Sequence, residues 1–115
     1  MKEEFLDYVE DIIKAMDDAL SFVKGMDYDA FVKDRKTVYA VIRTLEIIGE
    51  ATKNIPPPIK TRYSQIPWKD MAGMRDKVIH AYFGVDLKRV WSTINSDIPN
   101  LKPFFEKILR ENEKG

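Results

Sequence analysis

The chain has 115 residues, with nineteen basic and nineteen acidic side chains, one histidine and no cysteine. Zero formal charge excludes a uniformly electropositive nucleic-acid coat but not a local basic patch. Without cysteine there is no disulfide framework and no thiolate metal site, which fits a reducing compartment.

No apolar run approaches the roughly 20 residues of a membrane helix. The start, Met1-Lys2-Glu3-Glu4-Phe5, lacks a signal-peptide apolar core. A cytoplasmic protein without a membrane partner is expected. The length predicts a single domain over residues 1–115, able to bury roughly two-thirds of the surface its unfolded chain exposes.

From about Lys2 to Lys24 the pattern predicts an amphipathic helix. Phe5, Tyr8, Val9, Ile12, Ile13, Met16, Ala19, Leu20 and Val23 recur at spacings of three and four, acids fill the first turn, and Gly25 supplies a stop. A short turn or helix follows from about Tyr28 to Lys33, with Asp27 as its N-cap. The next long helix is predicted from Asp34 or Arg35 to Asn54. Its inward stripe is Val38, Val41, Ile42, Leu45 and Ile48, with Gly49 and Thr52 as small members and Ile55 closing it. Arg43, Glu46, Glu50 and Lys53 line neighbouring positions. They form either a solvated charged stripe or a reach by Arg43 or Glu46 toward a site on another helix.

Ile55-Pro56-Pro57-Pro58 ends that helix. A brief helix is predicted from Pro57 or Pro58 to Tyr63, then a turn at Ser64–Pro67. A helix from Pro67 to Tyr82 carries Trp68, Met71, Met74, Val78 and Ile79 as apolar members and stops at Gly84. Asp86 caps a helix from Leu87 to about Asn95, with Val90, Trp91 and Ile94 inward. Pro99 is expected to break the chain before a last helix, Asn100–Asn112, with Leu101, Phe104, Phe105, Ile108 and Leu109 inward. No strand alternation and no solenoid repeat is present. The fold class is therefore all-α, expected as an antiparallel bundle of four main helices with one or two short additional ones.

One histidine and no cysteine leave no zinc spacing and no paired Glu-x-x-His for a di-metal centre. No glycine loop is set to cradle phosphate. No metal or cofactor is called for, and the chemistry centres on Arg75-Asp76-Lys77-Val78-Ile79-His80-Ala81-Tyr82. On a helix, Asp76 and His80 are one turn apart and share a face; Arg75 and Tyr82, seven apart, share another stripe. A lone histidine near a helix end is more often structural than catalytic. Here Asp76 can fix its tautomer, Arg75 can grip a phosphate oxygen, and an ordinary imidazole exchanges protons near neutral pH. Cleavage of RNA by its own 2′-hydroxyl needs a base and an acid on opposite sides of phosphorus. One histidine cannot readily supply both, whereas a homodimer sharing a site across a two-fold axis can.

Arg75-x-x-x-x-His80 resembles the Arg-x4–6-His signature of the HEPN superfamily, and its extension to Tyr82 resembles the HepT-like branch. Ile66-Pro67-Trp68-Lys69-Asp70-Met71-Ala72-Gly73-Met74 before the motif, Tyr82-Phe83-Gly84-Val85-Asp86 after it, and Ala40–Ala51 in the long second helix are similar to that branch as well. Arg-x4-His alone is a common chance pattern, and the combined set is specific. The family often has asparagine after the arginine. Here it is Asp76, whose carboxylate repels phosphate more than an amide does.

The resemblance implies the toxin of a type II toxin–antitoxin pair, a metal-independent ribonuclease with Arg75 and His80 as active residues, cutting RNA such as tRNA or mRNA. It also implies a nucleotidyltransferase antitoxin of the MntA kind as partner, able to move AMP from ATP onto the motif tyrosine, Tyr82. On spacing alone Tyr82 reads equally as an interface aromatic, and Trp68 and Trp91 read as packing anchors. Two other readings stand beside the toxin: a non-catalytic substrate-binding subunit of a nucleotidyltransferase complex, and a plain dimeric structural bundle.

Overall fold

A computed structural model describes residues 3–74 and 86–113. Every regular element among them is helical: α1 (Phe5–Phe22), α2 (Tyr28–Lys33), α3 (Arg35–Lys53), α4 (Pro57–Arg62), α5 (Trp68–Ala72), α6 (Leu87–Ser92), a π-helical segment (Thr93–Asp97) and α7 (Ile98–Asn112). The fold is all-α.

The core is built around α1, which packs against both α3 and α7. Two partners require a wide apolar arc. Leu6, Val9, Ile12, Met16 and Ala19 are fully buried, and Phe5 and Ala15 nearly so. Each large aliphatic taken out of water contributes about 1.5–3 kcal/mol. From α3, Val41, Leu45 and Ile48 are buried in this core, and α7 contributes Phe105 and Ile108. The small polar members of this core are satisfied within their own helix: Thr44 Oγ1 donates to Val41 O, and Thr52 Oγ1 to Ile48 O.

The helix starts follow local chemistry. Asp27 accepts from Ala30 N at 2.8 Å and opens α2. Asp34 accepts from Thr37 N at 3.1 Å and opens α3. That backbone bond holds the Asp34 carboxyl below its ordinary pKa. After α1 the chain turns at Gly25, whose φ of 79° lies in the left-handed region. A methyl group there would meet nothing within 4 Å. Gly25→Ala is therefore expected to destabilise the fold by about 1–2 kcal/mol, from backbone conformation alone, read as a lower denaturation midpoint with unchanged denaturant sensitivity.

Two expectations are corrected. The helix predicted from Pro67 to Tyr82 does not start at Pro67 or run on as one piece. α5 closes after Ala72 at Gly73, whose N–H is shared by the carbonyls of Lys69 and Met71. Glycine is a poor interior residue, costing about 1 kcal/mol relative to alanine, and here it ends the turn.

The break predicted at Pro99 is absent. The chain runs helically from Leu87 to Asn112 through the π-helical segment. Ile98 N–H donates to Thr93 O, five residues back instead of four. An interior proline lacks a donor and presses on the carbonyl four residues earlier, here that of Asn95. The widened π turn lies just where that pressure falls. Pro99 sits at the first positions of α7, and Pro103 is carried inside it.

Candidate functional site

The four residues expected to carry chemistry, Arg75, Asp76, His80 and Tyr82, lie outside the described residues, as do Val78, Ile79 and the expected stop at Gly84. What the structure defines is the frame at either end of this stretch. On the entering side, α5 packs against α3, and both Met71 and Met74 are buried. Arg75 is the next residue after Met74. On the leaving side, Asp86 Oδ1 accepts from Arg89 N at 3.1 Å and caps α6. α6 is then fixed by Trp91, which meets the ring of Phe31 at 5.1 Å and the edge of Tyr28 at 6.2 Å. Trp91 is thus a packing anchor between α6 and α2.

Trp68 has the same kind of role at the other end. Its Nε1–H is shared by the carbonyls of Lys60 and Tyr63, each at 3.1 Å, and its ring stands edge-on to Phe105 at 5.7 Å. The indole ties the end of α4, the start of α5 and the middle of α7 together.

Beside Met74 a cleft opens between α5 and the start of α7, lined by Pro67, Asp70, Met71, Asp97, Asn100 and Leu101. Asp70, Asp97 and Asn100 are exposed. A second cleft follows along α7, between that helix and the α4–α5 turn. It is lined by Arg62, Tyr63, Gln65, Phe104, Lys107 and Glu111, among others. Tyr63 OH donates to Glu111 Oε1 at 2.7 Å and accepts from Asn112 Nδ2 at 3.0 Å. Asn112 Oδ1 in turn accepts from the Arg62 guanidinium at 3.4 Å. Burial, reinforced by the Glu111 carboxylate, raises the Tyr63 hydroxyl above its ordinary pKa. Sequence reading did not single out Arg62, Tyr63, Lys107 or Glu111. The one signal was helical spacing: Phe104, Lys107 and Glu111 follow each other by three and four.

Arg43 is exposed and lines a shallow cleft between α1 and α3 with Tyr8, Asp11, Ile47 and Glu50; Glu46 is half-buried. Among the described residues no group of three or more histidine or acidic side chains could hold a metal ion. No helix among them is long and apolar enough to cross a membrane.

The described residues form an all-α frame on either side of the motif. The chain belongs to the ribonuclease HepT-like family of the HEPN superfamily, whose family model matches residues 12–108. A Thermococcus cleftensis protein named "Probable ribonuclease HepT" is 52% identical over 110 residues, which span 96% of this chain and 100% of that one. A Methanocaldococcus jannaschii protein named as a candidate RNase is 49% identical over 113 residues, 98% of this chain and 97% of its own. A similarly named protein of Caldanaerobacter subterraneus is 43% identical, covering 92% and 95% of the two chains. No solved structure matches the chain with significance. RNA is the substrate class that this family assignment supports.

Proposed function

We propose that this chain is a single-domain, cytoplasmic, metal-independent endoribonuclease that acts as a homodimer and serves as the toxin of a toxin–antitoxin pair. One observation carries the reading: a chain of the ribonuclease HepT-like family has its only histidine in Arg75-x-x-x-x-His80-x-Tyr82. In the proposed reaction His80 of one protomer takes the proton of the 2′-hydroxyl, whose oxygen attacks the adjacent phosphorus. His80 of the partner subunit protonates the departing 5′-oxygen. The products are a 2′,3′-cyclic phosphate and a free 5′-hydroxyl, and the pair of imidazoles is left with its proton exchanged. Arg75 holds a non-bridging oxygen, and Asp76 orients the imidazole.

The partner is a nucleotidyltransferase antitoxin of the MntA kind, which silences the enzyme by transferring AMP from ATP to Tyr82. Tyr82 shares the Arg75 stripe on an ideal helix, so an added phosphate there competes with RNA for the arginine.

Purified protein is expected to cut an RNA pool in excess chelator, and its expression to arrest growth unless the nucleotidyltransferase is co-expressed. An inert protein with no effect on growth would favour the non-catalytic binding subunit instead. Incubation with ATP and the nucleotidyltransferase is expected to add AMP mass to the peptide containing Tyr82. Unmodified Tyr82 in a silenced complex would remove the acceptor role.

A further inference from the structure

The second cleft along α7 has no part in the chemistry above, yet it is built from residues far apart in sequence. Its walls are set by one connected polar chain, in which Arg62 donates to Asn112, Asn112 to Tyr63, and Tyr63 to Glu111. Asn112 is fully engaged, because its amide also donates to Ile108 O at 2.8 Å. This chain fixes a guanidinium and a carboxylate beside the same opening. Lys107 lines the opening too and makes no hydrogen bond or ion pair among the described residues. Phe104, half-buried, provides an apolar wall, and Gln65 an amide.

These groups differ in kind, and the difference points to the ligand. Two cations suit a phosphodiester. An aromatic wall suits a base. A carboxylate whose one oxygen is already engaged by Tyr63 would repel phosphate but accept from base N–H groups, which guanine presents in greatest number on its pairing edge. A simple anion site would have no use for Glu111, and an acidic peptide none for a carboxylate beside its cations.

Position agrees with chemistry. Asn100 and Leu101 line the cleft beside Met74, the residue before Arg75, while Phe104, Lys107 and Glu111 line this one. At 1.5 Å per residue the two clefts lie roughly 10 Å apart along α7.

We propose that the cleft between the α4–α5 turn and α7 is a nucleotide subsite for single-stranded RNA, away from the bond that is cut. Arg62 and Lys107 hold a phosphate there, and Glu111 prefers guanine. The proposal rests on the ribonuclease reading. It would give the enzyme a second grip on its substrate and a sequence preference at a distance from cleavage.

The test uses the wild-type protein and fluorescent 2′-O-methyl oligonucleotides, which cannot be cut through their own 2′-oxygen. Lys107→Glu and Arg62→Ala are each expected to weaken binding roughly tenfold at low salt, with the slope of log affinity against log salt falling by about 0.7 for each phosphate no longer held. Glu111→Gln keeps an acceptor for Tyr63; it is expected to remove a preference for guanine-containing over adenine-containing strands while leaving the latter unchanged. Folded variants with unchanged affinity and salt slope overturn the subsite, as does a wild type that binds neither strand. Cleavage of unmodified RNA in chelator is scored separately. Cutting without any effect of these variants defeats the subsite alone, and variant-sensitive binding without cutting defeats the nuclease reading alone.

Discussion

Replacing His80 with alanine is expected to lower RNA cleavage by about 10²–10⁴-fold, the usual worth of a positioned general acid or base. The proposed composite site makes the effect larger than in a single-chain nuclease. Each substitution appears in both protomers, so the proton acceptor and the proton donor vanish together. Mixed dimers sharpen the prediction. If one His80 serves as base and the other as acid, a heterodimer of wild-type and His80→Ala chains lacks one of the two and is expected to fall far below half the wild-type rate. If a single histidine did all the work, mixing would leave about half the activity. Arg75→Ala is expected to depress turnover in the same range, because a phosphate-holding guanidinium is worth most when negative charge develops on phosphorus. Arg75→Lys should recover little, since an ammonium keeps the charge but loses the bidentate fork. Cleavage that survives His80→Ala at wild-type rate would remove the histidine from the mechanism.

The largest expected effect on stability is at Phe105. Its side chain has no exposed surface, and its ring meets the edge of Trp68 at 5.7 Å. Phe105→Ala is expected to cost about 3–5 kcal/mol, a large share of the roughly 5–15 kcal/mol that holds a typical domain together. The loss comes from three sources: removed apolar area, the cavity left behind, and the aromatic pair. Chemical denaturation followed by tryptophan fluorescence reads the midpoint. Trp68 should also change its emission, because the ring it packs on is gone. Phe105→Leu, which keeps most of the volume, should recover much of the loss. A midpoint unmoved by Phe105→Ala would mean that α7 is not docked as described.

Much of the fold was legible from sequence because local chemistry decided it. Asp27 and Asp34 were readable as helix starts, since a carboxylate reaching the backbone N–H three residues on is a matter of a few bonds. The inward stripes of α1 and α3 were readable from spacing. Leu6 and Ala15 were missed because a single-stripe reading assumes one partner, whereas α1 has two. Pro99 was misread for a related reason. The rule that proline ends a helix is local, and it says nothing of a widened turn upstream that lets the chain continue.

The site divides in the same way. Arg75, His80 and Tyr82 form a compact motif, and together with the stretches flanking it and Ala40–Ala51 they made the family readable; the family comparison agrees. Tyr63 and Glu111 are 48 positions apart. No spacing rule connects them, and only the packed chain puts them at one opening.

The π-helical segment has a consequence beyond tolerating a proline. Val90 and Ile108 are eighteen residues apart, which in an uninterrupted α-helix would be five full turns and the same side of the rod. Absorbing one extra residue between Thr93 and Asp97 shifts the phase by roughly 100°. One continuous rod can therefore address two neighbours, with Trp91 turned to Phe31 of α2 and Phe105 to Trp68. In this molecule a single added residue acts as a gear between two interfaces. Its loss would leave every side chain of α7 present and well placed along the axis, yet pointing the wrong way.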